Sequence, residues 1–479
     1  MKLLSTRCVV LIGATALVCA VQISSAQFTH NYLPRKTHSE LSKALIKGLE
    51  SQFEEEDKNM PVSREVRQIN FQRRMTFMEK VLDGAFIKDD YLEGYVEKVL
   101  ENVVNRNTLH TYPRRVLILS SPHVNAVCYG QGIYAVTVGL LGRIENENQL
   151  AFILAHEVAH DELGHIRTRI VQEAHLDLED KARNQTFRII SGKVIQDEID
   201  EFRKLIYDFS KQSRINEMKA DSMAIVLLRN AKYNENASSS VLDILQSPQS
   251  PRYEIGAEIF APFHSFDYPF QDRWLNARLS VYSKKYMGTF LYSADSIDSH
   301  PNIAIRRKAL QTYIGGQIPQ TGQQPFEFVS TVGDIAAFET LESAYKNNEY
   351  DLALYHALQL YSRYPANAFV VSRIGRILTD LFEARNSDRY YNYVAKFTPN
   401  YGDELKLINS FLHNITQQEL GEIAFRFINN RVHFNGNEKS HYYLSWKISA
   451  LTDRNEHVMS IAKQYADRFG GAVKSYKYQ

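Results

Sequence analysis

Between Gln149 and His160 the apolar residues Leu150, Phe152, Ile153, Leu154 and Val158 recur at helical spacing, Leu163 extends the run, and Gly164 loosens it. This pattern predicts a buried helix. A second helical run begins at Arg214 and continues through Met223, Ala224, Ile225, Leu227 and Leu228. The charged, glycine-poor stretch from Ile170 to Leu205 predicts long amphipathic helices over the first. Upstream, three short apolar runs read as strands with turn residues between them: Val116 to Leu119, Asn125 to Tyr129 and Gly132 to Thr137. From about Ala336 the pattern is helix-turn-helix to the end, after a linker marked by Pro319 and Pro325. The fold class this predicts is α+β and mainly helical, a domain with a small sheet followed by an all-α repeat domain.

The first helix carries chemistry in His156-Glu157-Val158-Ala159-His160. At about 100° per residue, four steps return nearly to the same face, so both imidazoles can meet one ion. Glu157 lies one residue on, close enough to work on a water at that ion and poorly placed to ligate it. Two histidine ligands with a carboxylate general base are the zincin arrangement. A metzincin would need Gly at 163 and His at 166; Leu163 and Ile166 stand there instead. The third ligand must come from elsewhere. In the second run Glu217 and Asp221 share a face, so the first can ligate and the second can accept the free ring N–H of a ligand histidine, the alternative being a solvated acidic face. His165 has rotated by about 140° from His160 on the same helical count and is assigned to capping or packing.

Asn125-Ala126, Thr137-Val138-Gly139-Leu140-Leu141, HEVAH, Glu217 with Ala220-Asp221, and His300-Pro301 with Arg306 together resemble the gluzincin family of HtpX and its relatives. Among these the chain is similar to the soluble periplasmic BepA-type members, which join such a protease to a TPR domain. The resemblance covers roughly residues 55 to 310 by motif. It implies one Zn2+ per chain, held by His156, His160 and Glu217, with Asp221 and Arg306 behind them. It also implies that His300 approaches the zinc, as a switch that closes the site or as an oxyanion donor; the alternative is a helix-entry residue before Pro301. Zincins lay substrate backbone along an edge strand, and the resemblance makes Asn125, Ala126, Val127 and Cys128 that edge rather than an ordinary core strand.

Ser247 to Tyr292 mixes Pro248, Pro251, Pro262 and Pro269 with Tyr253, Phe260, Phe263, Phe266, Tyr268, Phe270 and Trp274, too long for a routine connection. It is expected either to cover the zinc cleft or to pack the domains together. In the repeat domain Pro365 and Pro399 are separated by the TPR period; Ala353, Ala357 and Leu360 fall at its small and apolar positions, and Tyr391 and Val394 echo two of them. Such helical repeats offer grooves for peptides or partner proteins.

Lys2 and Arg7, the apolar stretch Cys8 to Val21 and Ser24-Ser25-Ala26 read as a signal peptide cut after Ala26. Its loss changes the formal charge of +1 to −1, which gives no pointer to nucleic acid or an anionic membrane surface. Of three cysteines only Cys128 survives the cut, so no intramolecular disulfide is expected. No later segment is apolar for long enough to anchor the chain in a membrane. The expectation is an exported periplasmic protein: signal peptide 1–26, metallopeptidase domain 27–315, linker 316–335 and TPR-like domain 336–479. It would be a zinc endopeptidase that degrades misfolded or misassembled envelope proteins, restrained by His300 and the aromatic segment, with the repeats contacting substrates or the outer-membrane assembly machinery. The alternative is a chaperone-like assembly factor with minor proteolytic activity.

Overall fold

The computed structural model describes residues 28–37, 46–50, 63–110, 113–178, 196–246, 255–276, 303–314, 330–387, 389–395, 402–435 and 438–476. The leader, most of the linker and His300 with Pro301 lie outside them. The chain divides into two compact units, one of Arg35–Pro248 with Ser280–Phe328 and one of Met1–Pro34, Gln249–Leu279 and Val329–Gln479.

The first unit is built on a five-stranded sheet in the order β1-β2-β3-β5-β4. Its strands are β1 (Lys36–Thr37), β2 (Phe86–Lys88), β3 (Arg115–Leu119), β4 (Ala126–Gly130) and β5 (Ile133–Thr137). The last three coincide with the apolar runs of the sequence; β1 and β2 are too short to leave a periodic signal. β3 and β5 pair in parallel and the remaining neighbours antiparallel, which leaves β4 on the edge beyond β5. β5 is buried along its whole length, as befits a strand covered on both faces. The β4–β5 turn passes through Gln131 and Gly132 at φ 52° and 78°. Beyond β5, Gly139 is required by contact: a Cβ there would stand 2.1 Å from the carbonyl oxygen of Pro122.

Around the sheet lie α1 (Arg64–Leu82), α2 (Asp90–Asn105), the short α3 (Val138–Leu141), α4 (Glu147–Glu162), α5 (His165–Leu178), α6 (Gln196–Ala231), α7 (Ala237–Gln246) and α8 (Ile303–Ile314). α1 closes one core with β2, β3 and β5 through Phe77, Val81, Phe86, Leu117, Ile133 and Ala135. α4 starts at Asn146, whose side chain accepts the Gln149 N–H at 3.1 Å, and ends before Gly164, at φ +64°. Its buried Leu150, Phe152 and Leu154 each contribute roughly 1.5–3 kcal/mol of transfer free energy. α4 packs along α6, and alanines on both helices (Ala151, Ala155, Ala159; Ala220, Ala224) are fully buried, small enough to let the two axes approach. Glu147 fastens the start of α4 by accepting from the Tyr95 hydroxyl on α2 (3.0 Å) and from Tyr233 just past α6 (2.9 Å).

The second unit holds α9 (Ser330–Lys346), α10 (Tyr350–Arg363), α11 (Ala368–Asn386), α12 (Asp403–Asn414), α13 (Gln417–Asn429), α14 (Lys439–Leu451) and α15 (Asn455–Phe469). α9 and α10 form a hairpin in which Ala353 and Ala357 are fully buried, the place where small residues permit close helix approach. Among the described residues the next expected repeat shows no second helix. Tyr390–Asn392 is a single 3-10 turn and Tyr391 is 69 % exposed. The cause is local: the Tyr390 hydroxyl bonds the Leu412 carbonyl (2.7 Å), and Arg385 bonds the Leu412 and Ile415 carbonyls, so this stretch serves α12 instead.

The units also depart from a division in simple chain order. Phe28 and Tyr32 stack on Phe338 of α9 at 5.4 and 4.4 Å, and Asn367 donates to the Phe28 carbonyl. The described part of the aromatic segment likewise joins the helical unit: Phe260 and Phe263 lie 5.3 and 5.8 Å from the Phe411 ring, while Glu404 accepts the N–H groups of Ile255 and Gly256. Most of its aromatic rings thereby have a packing role within that unit; Phe266 is exposed.

Candidate metal centre

His156 and His160 project from adjacent turns of α4 with their Nε2 atoms 3.0 Å apart. Glu217 of α6 completes the triangle, its oxygens 3.6 Å from His156 Nε2 and 3.3 Å from His160 Nε2. Among the described residues these three form the one group of histidine, cysteine or acidic side chains able to hold a metal ion. The separations suit it. Neighbouring ligands on a tetrahedron with bonds of about 2.05 Å stand about 3.3 Å apart, and two imidazoles with one carboxylate are a catalytic zinc donor set.

Behind the triangle runs a chain of buried charge. His156 Nδ1 lies 3.0 Å from Asp221, one turn beyond Glu217 on α6. Arg306 of α8 grips that carboxylate with two bonds, Nε to Oδ2 at 2.8 Å and Nη2 to Oδ1 at 2.7 Å, and lies 3.5 Å from Glu217. Burial alone would favour a neutral His156, but Asp221 and Glu217 outweigh it and hold the ring's pKa up at about 10. Burial also opposes the charge on Asp221, and there the His156 and Arg306 contacts win and keep the carboxyl below its ordinary range. A cation bound by the three residues would take the place of the proton these carboxylates favour on His156.

Glu157 is buried beside the triangle without joining it. Burial raises its pKa against the opposing pull of His156, His160 and the Cys128 backbone N–H, the direction a proton-transferring carboxyl requires. Cys128 sits on β4, a buried free thiol. Thr137 donates its N–H to the Asn125 carbonyl at 3.1 Å. Antiparallel pairing alternates, so Asn125 and Val127 face β5 while the main-chain groups of Ala126 and Cys128 face outward from the edge.

Two contributors escaped the sequence reading. Asp161, next to the motif, accepts the N–H groups of Gln131 (3.1 Å) and Gly132 (2.7 Å) and the Tyr134 hydroxyl (3.0 Å), tying the β4–β5 hairpin to the end of α4. Its signal is a buried-side acid facing a Gln-Gly turn, visible only once the two elements meet. His165, assigned to capping or packing, does pack, buried against the His160 ring, and also has Nδ1 3.1 Å from His160 Nδ1. The angle reckoned for it assumed an unbroken helix. The helix breaks at Leu163-Gly164, and α5 begins at His165 on a new axis. Burial, with the neighbouring His160, lowers the His165 pKa to about 4.

The structure thus brings His156, Glu157, His160, Glu217, Asp221 and Arg306 together and places Ala126 to Cys128 on a sheet edge. His300 lies outside the described residues.

Residues 90–314 match the family model described as Peptidase family M48. A stretch of 105 residues is 33 % identical to "Metalloendopeptidase OMA1, mitochondrial" of Danio rerio, covering 21 % of this chain and 21 % of that protein. Another of 171 residues is 21 % identical to "Mitochondrial metalloendopeptidase OMA1" of Arabidopsis thaliana, over 36 % of this chain and 34 % of that protein. The chain matches about a third or less of the length of these curated relatives. These similarities support a metalloprotease.

Proposed function

We propose that the protein is a zinc-dependent endopeptidase of the gluzincin type, similar to HtpX and the BepA-type enzymes. The observation that carries this reading is the convergence of His156, His160 and Glu217 beside a buried Glu157. A zinc ion held there would supply Lewis acidity toward water and the scissile carbonyl. Glu157 takes the proton from the attacking water and returns it to the leaving amine. The outward N–H and C=O groups of Ala126 and the C=O of Cys128 pair with an extended substrate, giving affinity through main-chain bonds and little sequence selectivity, while the Cys128 N–H is held by Glu157. Asp221 and Arg306 hold the His156 ring in its ligating orientation.

Unfolded chains with exposed backbone suit an edge of this kind, so the substrates proposed are misfolded or misassembled envelope proteins in the periplasm, reached through the leader ending at Ala26. The helical unit is proposed to contact substrates or assembly partners as TPR-like repeats do, and His300 to restrain the site. No helix of the described residues is long and apolar enough to cross a membrane. The names of both relatives favour a second address, the mitochondrion, on an otherwise unchanged mechanism.

The test is hydrolysis of an unfolded protein by the purified zinc-loaded chain, with metal content measured beside it. Zinc at one per chain, cleavage by the wild type and cleavage about 10²–10⁴-fold slower by Glu157→Gln are expected. Equal cleavage by the two would remove Glu157 from the chemistry. If Glu157→Gln also restored envelope-protein assembly in cells in full, the chaperone function would take precedence.

A further inference from the structure

We propose that His165 is a positioning residue for the metal: its neutral ring accepts the Nδ1–H of His160 and so fixes which nitrogen of His160 faces the ion. The inference rests on the metal-centre reading above and adds to it. His160 Nε2 points into the triangle, 3.0 Å from His156 Nε2 and 3.3 Å from Glu217. A nitrogen that ligates must offer its lone pair, so the proton of a ligating His160 sits on Nδ1. That atom lies 3.1 Å from His165 Nδ1. Two ring nitrogens at this distance share one hydrogen. His160 donates it, His165 accepts, and the His165 proton is on Nε2.

The backbone prepares His165 for this duty. Gly164 at φ +64° turns the chain off α4 and starts α5 with His165 in its first turn. A helix start disfavours a positive charge, so the ring is kept as an acceptor. The side chain is buried, with the residue 6 % exposed, and meets the His160 ring edge-on at 79°. The two ligand rings are consequently held by unlike acceptors: His156 faces a carboxylate anchored by arginine, and His160 faces an imidazole. One negative charge fewer surrounds the ion than two carboxylate acceptors would bring.

A crossed pair of substitutions separates acceptance from packing. His165→Phe keeps a ring of similar shape and removes the acceptor; His165→Asn loses the ring and keeps an oxygen where Nδ1 was. Zinc affinity of the purified full chain is read by chelator competition, with thermal melts of the metal-free proteins alongside. Expected is a loss of about 10–100-fold in affinity for His165→Phe, the range for removing such a partner, and an affinity within about threefold of wild type for His165→Asn. The reverse order, or equal losses, overturns the proposal. Should His165→Phe fail to fold, His165→Asn decides: retained affinity upholds acceptance, and a folded protein with lost affinity refutes it. A wild-type chain that takes up no zinc would instead refute the metal-centre reading itself.

Discussion

Both units bury charge, and they do so differently. In the helical unit each buried carboxylate noted here meets its complement: Glu342 pairs with Arg373, Asp334 with Arg363 and the Tyr364 hydroxyl, and Glu404 with two backbone N–H groups. Nothing further is needed to satisfy them. In the sheet-bearing unit Arg306 satisfies Asp221 in the same fashion, but the triangle in front of it turns three electron-rich atoms toward one point. Buried acceptors that face each other are costly unless a proton or a cation lies between them. A structural network closes on itself; a site is left open toward something that arrives.

The sharpest way to break this contrast is Glu157→Gln, which leaves every ligand in place and removes the proton carrier. Peptidase activity is expected to fall about 10²–10⁴-fold with zinc content unchanged. Next come the two buried arginines. Arg306→Ala takes both arginine bonds from the buried Asp221 and leaves it facing His156, and is expected to cost about 3–5 kcal/mol of stability and about 10–100-fold in zinc affinity. Arg373→Ala is expected to cost a similar amount of stability and nothing in zinc affinity. Denaturant melts with chelator titrations distinguish them, and a zinc defect in Arg373→Ala would erase the contrast.

The pH response gives a smaller effect of opposite sign in the two units. His156 is raised to about 10 in the metal-free protein, so its contribution is full below the ordinary histidine range near 6.5 and is lost as pH climbs through about 10. His441 of α14 is lowered by burial to about 4, so its contribution is full above about 6.5 and is lost as pH falls toward 4. Both tryptophans, Trp274 and Trp446, belong to the helical unit. Tryptophan fluorescence melts should therefore weaken on the acid side, and circular dichroism of the chelated protein should add a weakening on the alkaline side that zinc removes. The smallest effect is Gly164→Ala, where open space surrounds the site and only φ +64° is strained. A loss of about 1 kcal/mol is expected, with a measurable drop in zinc affinity if the turn delivers His165 as argued.

Much of the centre was legible because it rests on helical arithmetic. His156 with His160 and Glu217 with Asp221 are each one turn apart, and that spacing survives folding. The edge position of β4 was legible through its resemblance to known proteases and not through its own residues. What stayed hidden depends on a change of axis or on contacts between distant elements. The bond from His165 to His160 was hidden because Gly164 resets the helix, and the role of Asp161 because its partners lie on a hairpin upstream. Tyr391 and Val394 fit a repeat consensus, yet the neighbouring Tyr390 and Arg385 bond carbonyls at the end of α12, contacts that no repeat spacing announces. The aromatic segment showed its length in the sequence but not its destination, since rings of this kind fit any apolar surface.

The three bonds from Asp161 make the rim on which a peptide would be laid and the floor that carries the imidazoles a single rigid piece. Cross-linking β4 to α4 should therefore leave turnover intact.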